Sequence, residues 1–299
     1  MRLQVASDGL SNLAYFSRNG PIGAPVQQLP TPAAMAAPYN SSLTYVAVVM
    51  GDGDNMNFIK GSRRDWMHQR VANCAGTGSK SGCPPLLWSM SPRVLDLAPD
   101  LLHWYLNASR TTGADWFVLP PSGDLYAYPS LMSDDDQQSF VARTEHSARM
   151  MGTDSTVAWE FMGTWGNAIK NYFPRYGGSG NGSTAVVRGF FAVNVPYMTP
   201  VAEFGLREHY KLLGANRDVV LFKPREWRGD RGGGKQNINA TQMAAELSGY
   251  PKGTVSNIYV TSDGGANLDL VYDMMAGVQE HVRFVNAETL TRLAIERGA

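Results

Sequence analysis

The chain has 299 residues, is 43% hydrophobic, and balances 26 Lys plus Arg against 26 Asp plus Glu. It is long enough to bury a full core as one large domain, and it lacks the net charge that would draw it onto nucleic acid or an anionic membrane surface. Its apolar runs are too short to cross a bilayer, and residues 1–10 lack the basic start and apolar block of a signal peptide, so a neutral ligand fits this balance best.

Residues 1–42 read as an N-terminal arm or linker, because 18–42 are rich in Pro, Gly, Ala and Ser with no apolar period. The ordered domain is expected over 43–299. Strand candidates follow at 44–50, 86–90, 115–119, 156–161, 186–193, 218–222, 256–261 and 282–285. Helices are expected between them. Ser133 is placed as an N-cap ahead of Asp134 to Asp136, with Phe140, Thr144, Ala148 and Met151 on one face. Leu268, Val271, Met274, Met275 and Val278 make an apolar stripe at helical spacing, and Asn286 caps a last helix facing inward through Leu290, Leu293 and Ala294. Strand then helix, repeated without hairpin signals, points to parallel strands with right-handed crossovers. A (β/α)8 TIM-barrel-like domain is preferred over an open doubly wound sheet, since polar groups follow nearly every strand. Residues 62–85 and the Gly-rich 228–238 are read as insertions over one rim.

Cys74 and Cys83 flank a small polar loop, and both a local disulfide and two free thiols fit that spacing. Sequons at Asn40, Asn107, Asn181 and Asn239 suit an extracellular, secreted protein. With no visible signal sequence, that reading makes the chain a fragment.

The residues after each strand are Asp52, Asp54 and Asn55; Arg93; Asp124, Tyr126 and Tyr128; Glu160; Asn194 and Tyr197; Arg225, Glu226 and Trp227; Asp263; and Asn286. A barrel would gather them at one mouth. Carboxylates and amides mixed with flat rings suit a carbohydrate, whose C–H faces stack on rings while its hydroxyls meet polar groups. Glycosidic hydrolysis needs one protonated carboxyl and one ionised carboxylate, and Asp52, Asp54, Asp124 and Glu160 are the catalytic candidates. Glu160, between Trp159 and Phe161, is the expected acid, because apolar surroundings raise a carboxyl's pKa. Asp52 or Asp54 is the expected nucleophile or base. Asn55, Trp88, Arg93, Ser122, Gly123, Tyr126, Tyr128, Arg225, Glu226, Trp227 and Asp263 are the substrate-binding candidates.

Plainer readings stand beside these. Asp52-Gly53-Asp54-Asn55 is also what a turn selects; Glu160 also fits an ion pair with Arg93 or Arg188; one of Tyr126 and Tyr128 also fits packing. Trp66, Trp88 and Trp165 also fit core or loop anchors. The five histidines are solitary, without H-x-x-x-H or H-E-x-x-H, so no transition metal and no other cofactor is expected. Gly232-Gly233-Gly234-Lys235 lacks the frame of a phosphate loop and reads as a mobile lid. A non-catalytic sugar-binding domain is the alternative function, and an Asp-x-Asp site for Mg2+ or Ca2+ is the second alternative.

Gly123-Asp124-Leu125-Tyr126-Ala127-Tyr128-Pro129 resembles the signature of the GxGYxYP family of putative glycoside hydrolases, C-terminal domain. Residues 45–55, Pro84 to Pro92, Asp96 to Pro99 and Asp115 to Val118 continue the pattern, and Val5 to Asp8 resemble the tail of the preceding segment. The resemblance implies a carbohydrate substrate, with Asp52, Asp54, Asn55, Ser122, Gly123, Tyr126 and Tyr128 at the site and a further N-terminal domain beside the cleft. One departure stands out: Leu125 replaces the signature's second glycine, which removes an easy positive φ there.

Overall fold

The structure is a computed structural model and describes residues 18–178, 186–193, 204–205, 207–231, 237–261 and 265–298. Its strands are β1 (Thr44–Met50), β2 (Leu86–Ser89), β3 (Asp115–Val118), β4 (Ser155–Ala158), β5 (Gly189–Ala192), β6 (His209–Leu213), β7 (Asp218–Phe222), β8 (Glu226–Trp227), β9 (Val255–Val260) and β10 (Val282–Phe284). The helices that matter to the site are α1 (Met56–Lys60), α2 (Ser62–Cys74), α3 (Val94–Leu97), α4 (Pro99–Thr112), α5 (Asp134–Met151), α6 (Ala240–Ser248), α7 (Leu268–Gly277) and α8 (Ala287–Arg297). Every expected strand is present. β6 and β8 come in addition.

The fold is mixed α/β with mostly parallel strands in two sheets, ordered β3-β2-β1-β9-β8 and β4-β5-β7-β6. β1 is the hub. One edge pairs with β9 from Tyr45 to Met50; the other takes β10 along Thr44 to Val46 and β2 along Val49 and Met50. All seven residues of β1 are buried because both faces are covered. Tyr45, Ala47 and Val49 join one apolar cluster with Leu87, Val118, Val157, Phe191 and Val220, while Val46, Val48 and Met50 face the helices.

Two expectations are corrected. The strands do not form one hydrogen-bonded cylinder: β3 and β4 share a single bridge, Leu119 to Thr156. Gln28 occupies the rest of that seam, its amide accepting from Phe117 N–H at 2.7 Å and donating to Phe117 O at 2.9 Å. The inner cluster also admits Ala287, Leu290, Leu293 and Ala294 of α8, where a closed barrel fills its lumen with strand side chains. Nor are the strands all parallel, since β6 and β7 form an antiparallel hairpin joined by Gly214 to Arg217. The alternation in β6 is blunted because it is only half buried.

Residues 62–74 are not an overhanging insertion but the packed helix α2, and Cys74 is disulfide-bonded to Cys83 across a Cα separation of 4.8 Å. The closed loop lies against α7, where Lys80 Nζ meets Asp273 at 2.6 Å and Gln69 donates to Asp269 at 2.7 Å. Replacing both cysteines by serine is expected to lower the unfolding free energy by about 2–3 kcal/mol, the loop-closure entropy of so short a loop. Urea denaturation of the double variant checks this, and an unchanged midpoint would contradict it.

Helix ends follow the sequence signals. Ser133 caps α5 by accepting from Asp136 N–H, and Asn286 caps α8 by accepting from Thr289 N–H. The arm is anchored along the body, with Ile22 N–H donating to Leu95 O and Val26 N–H to Met150 O.

Candidate carbohydrate site at the strand tips

The site is built on the turn that ends β1. A Cβ on Gly51 would lie 2.4 Å from the Tyr259 ring, and one on Gly53 would lie 1.7 Å from Ser89 O. Only glycine lets this turn approach β9 and β2 so closely. Between them Asp52 has φ 60°, the only positive value at a non-glycine among the described residues. Its N–H donates to Tyr259 Oη at 3.0 Å, Gly53 N–H donates to Ser89 Oγ at 2.9 Å, and Ser91 N–H donates to Gly53 O at 2.8 Å. Asn55 caps α1, accepting from Asn57 N–H at 2.9 Å. The turn therefore holds Asp52 and Asp54 partly exposed at the tip of the central strand.

Asp54 is pushed up to about 6, first by burial and then by the Asp52 carboxylate, against its own backbone hydrogen bond and the Arg63 guanidinium. Arg63 and Tyr259 escaped notice in the sequence. A buried arginine in a polar helix looks like a surface charge, and a tyrosine inside a strand looks like packing.

The β3 tip makes a compact loop. Ser122 Oγ lies 2.7 Å from Ala127 O and 2.8 Å from Trp159 O, and Gly123, at φ 115°, packs where a Cβ would strike Thr144. These two candidates shape the loop from buried positions. Leu125 keeps a negative φ, with its carbonyl accepting from Ser122 N–H at 3.1 Å. The loop turns Tyr126 and Tyr128 toward the β4 tip: ring centroids lie 5.1 Å apart for Tyr126 and Trp159 and 5.7 Å apart for Tyr128 and Phe161. Phe161 is 43% exposed, so this aromatic cluster reaches solvent.

The other two carboxyl candidates are enclosed. Asp124 Oδ1 accepts from Arg93 Nη2 and from Ser147 Oγ at 2.7 Å, and Oδ2 lies 3.4 Å from Arg143 Nε. Glu160 has 0% exposure and no arginine partner among the described residues; it accepts from Ser130 N–H at 3.1 Å and from the Ser130 hydroxyl. Burial, opposed by those hydrogen bonds, pushes Glu160 up to about 8.

The family model described as GxGYxYP putative glycoside hydrolase C-terminal domain matches residues 42–184. That stretch is similar to the GxGYxYP domain. A crystal structure of a putative hydrolase from Bacteroides thetaiotaomicron VPI-5482 is similar to the chain, with TM-score 0.68 and 19% identity. The match covers 91% of this chain and 48% of that one, so the chain spans about half the length of that structure. At this identity the likeness bears on fold alone. A 4-alpha-glucanotransferase from Thermococcus litoralis gives TM-score 0.48 and 10% identity, over 84% of this chain and 40% of that one. No curated protein matches the chain.

Within residues 42–184 lie the β1 turn, Trp88, Arg93, the β3 loop and the β4 tip, whereas the candidates from Asn194 onward fall outside them. Two of the expected sugar platforms are corrected by burial: Trp88 and Trp227 are fully enclosed, their ring N–H groups donating to Asp115 at 2.7 Å and to Ile238 O at 2.7 Å. Arg225 is corrected likewise, because Glu246 of α6 takes its Nε at 2.5 Å and its Nη2 at 2.6 Å. Glu226 is buried and accepts from Arg228 Nε at 2.9 Å. Asp263, Asn194, Tyr197, residues 5–8 and most of the glycine run at 232–236 lie outside the described residues. No helix among the described residues is long and apolar enough to cross a membrane.

Proposed function

We propose that the chain acts on a carbohydrate as a glycoside hydrolase, with Asp54 as general acid and Asp52 as nucleophile or base. The observation that carries this reading is the pair of partly exposed carboxylates on one turn, with Asp54 raised to about 6 beside Asp52. Two carboxyls with separated ionisation are what the reaction demands. The acid role moves from Glu160 to Asp54, because a leaving oxygen has no path to a fully enclosed carboxyl. Asp124 serves here as the anchor that Arg93 and Arg143 use to fix the β3 loop.

Tyr126, Tyr128, Trp159 and Phe161 supply the stacking face for the sugar in this reading. In this reading the strand tips frame its mouth in the manner of a (β/α)8 barrel whose wall is divided into two sheets, with one bridge from β3 to β4 and with β8 and β6 as the other edges. The Cys74–Cys83 bond supports placement outside the reducing cytosol. An Asp-x-Asp site for Mg2+ or Ca2+, with Asn55 as a third oxygen donor, is the remaining alternative, and calorimetry with each ion before and after EDTA tests it.

A sugar-binding module without turnover is the second reading, favoured by the enclosure of both Asp124 and Glu160. Release of reducing ends from a panel of polysaccharides separates the two: release supports the hydrolase, and binding without release supports the module. Under either reading Trp159→Ala is expected to weaken sugar affinity by about tenfold, the stacking worth of one aromatic ring. Under the hydrolase reading the loss falls on KM with kcat nearly kept. Titration with the bound sugar checks this, and unchanged affinity would remove the ring from the site.

A further inference from the structure

Tyr259 of β9 does more at the tip of β1 than its packing requires. The residue is 2% exposed, pairs in register with Val49, and lies with it in the inner apolar cluster. Its ring is also the wall that a Cβ on Gly51 would strike. A phenylalanine would meet all of these demands. They leave the hydroxyl unexplained, because a buried phenol oxygen is costly to desolvate unless it is hydrogen-bonded. Its partner lies in the β1 turn, where Asp52 N–H donates to Tyr259 Oη at 3.0 Å. The backbone ladder between β1 and β9 ends one residue earlier, with Gly51 N–H donating to Val260 O at 2.7 Å. The hydroxyl therefore adds one more acceptor to the sheet, at the residue whose backbone turns left-handed with φ 60°. Residues other than glycine adopt that region at a steric cost, and it persists only where neighbouring contacts enforce it. On the other side Gly53 N–H is taken by Ser89 Oγ of β2 at 2.9 Å. Gly51 and Gly53 are buried, whereas Asp52 between them is partly exposed.

We infer that Tyr259 is a positioning residue for Asp52, its hydroxyl holding the aspartate in the left-handed conformation that keeps its carboxylate at the strand tip beside Asp54. This rests on the role given to Asp52 above. Without the hydroxyl, Asp52 N–H must find another acceptor, and rotation about φ toward negative values both frees it to do so and relieves the steric cost. The carboxylate would swing with the backbone. A displacement of about 1 Å is enough to cost a positioned reaction about 100-fold. The ring, packed against Gly51, keeps the strand itself in place in either case.

Tyr259→Phe keeps the ring and removes the hydroxyl, and two readouts test it. Amide hydrogen exchange, followed by NMR in the free protein, should show Asp52 N–H losing protection by about tenfold, the worth of one hydrogen bond. Gly53 N–H, held by Ser89, and the amides of β1 should change less. With substrate, kcat should fall by about 10- to 100-fold while KM stays within about twofold, since the aromatic face is untouched. Tyr272→Phe is the control: it removes another buried phenol, whose Oη donates to Gly82 O at 3.1 Å beside the disulfide loop, and should alter neither readout. Equal protection of Asp52 N–H in the wild type and Tyr259→Phe overturns the inference, as does an unchanged kcat. Faster exchange at all amides alike would mean a general structural role and overturn it too. If Tyr259→Phe does not fold, the wild type decides: an Asp52 N–H that exchanges as fast as an exposed amide overturns the inference, and slow exchange supports it. The exchange measurement needs no sugar. A wild type that turns over no glycoside would therefore remove the hydrolase reading alone, and exchange would still decide whether Tyr259 holds Asp52.

Discussion

Under the proposed hydrolase reading, Asp54→Asn is expected to lower glycoside turnover by about 100- to 10,000-fold, the worth of a positioned general acid, and to leave the fold intact. The amide keeps the shape of the carboxyl but cannot deliver a proton to the leaving oxygen. Asp52→Asn is expected to lose activity on the same scale by removing the nucleophile or base. The two variants differ in their pH signatures. Asp54 must be protonated to act, and it is raised to about 6, so wild-type turnover falls as pH rises through that value. Asp52→Asn also removes the neighbouring negative charge that helps to raise Asp54, so the remaining acid limb moves to lower pH. Sugar binding survives in both, because the aromatic face is untouched. Steady-state kinetics across pH 4–8, with binding measured in parallel, would test these statements. Unchanged turnover in both variants would leave only the binding module.

Glu160 makes stability fall as pH rises, and Glu160→Gln removes that dependence. Its folded pKa of about 8 lies above the ordinary 4.5. In the window between them the folded state keeps a proton that the unfolded chain has lost. The contribution is therefore fully present below the ordinary value and is lost as pH rises through the folded one, at a slope of about 1.4 kcal/mol per pH unit. Other carboxyls raised by desolvation act in the same sense, among them Asp54, Glu145 and Asp154. The informative quantity is accordingly the difference between wild type and Glu160→Gln, measured by urea unfolding at several pH values from 5 to 8. Parallel curves would mean that Glu160 is ionised in the folded protein. The functional link is Ser130, which Glu160 holds through backbone and hydroxyl, at the end of the loop that carries Tyr126 and Tyr128.

The aromatic cluster and the carboxylate turn are supported by unequal means. Gly51, Asp52 and Gly53 are fixed by contacts to Tyr259, Ser89 and Ser91 on two neighbouring strands, so the geometry of the turn is set by the sheet. Tyr126, Tyr128, Trp159 and Phe161 support one another mainly by ring contacts on loops.

What was legible in the sequence was local. Runs such as Thr44 to Met50 announce buried strands because both faces must be apolar, and Ser133, Asn239 and Asn286 announce helix starts because free N–H groups need an acceptor. The glycines at 51, 53 and 123 marked strand ends where the backbone packs too closely for a side chain, and the order of motifs through residue 130 pointed to the family whose model matches residues 42–184. Tertiary structure decided which polar groups are available. Arg93 and Arg143 reach Asp124, Glu246 reaches Arg225, and Ser130 closes over Glu160, all through contacts between residues distant in the chain or on different elements. It also decided that Trp88 and Trp227 are core and that Arg63 is buried with its Nη2 on Ser89 O. Sequence periodicity fixes which way a side chain leaves its own element, but whether it then meets water, a counter-charge or a wall depends on the neighbouring elements, which local pattern does not encode.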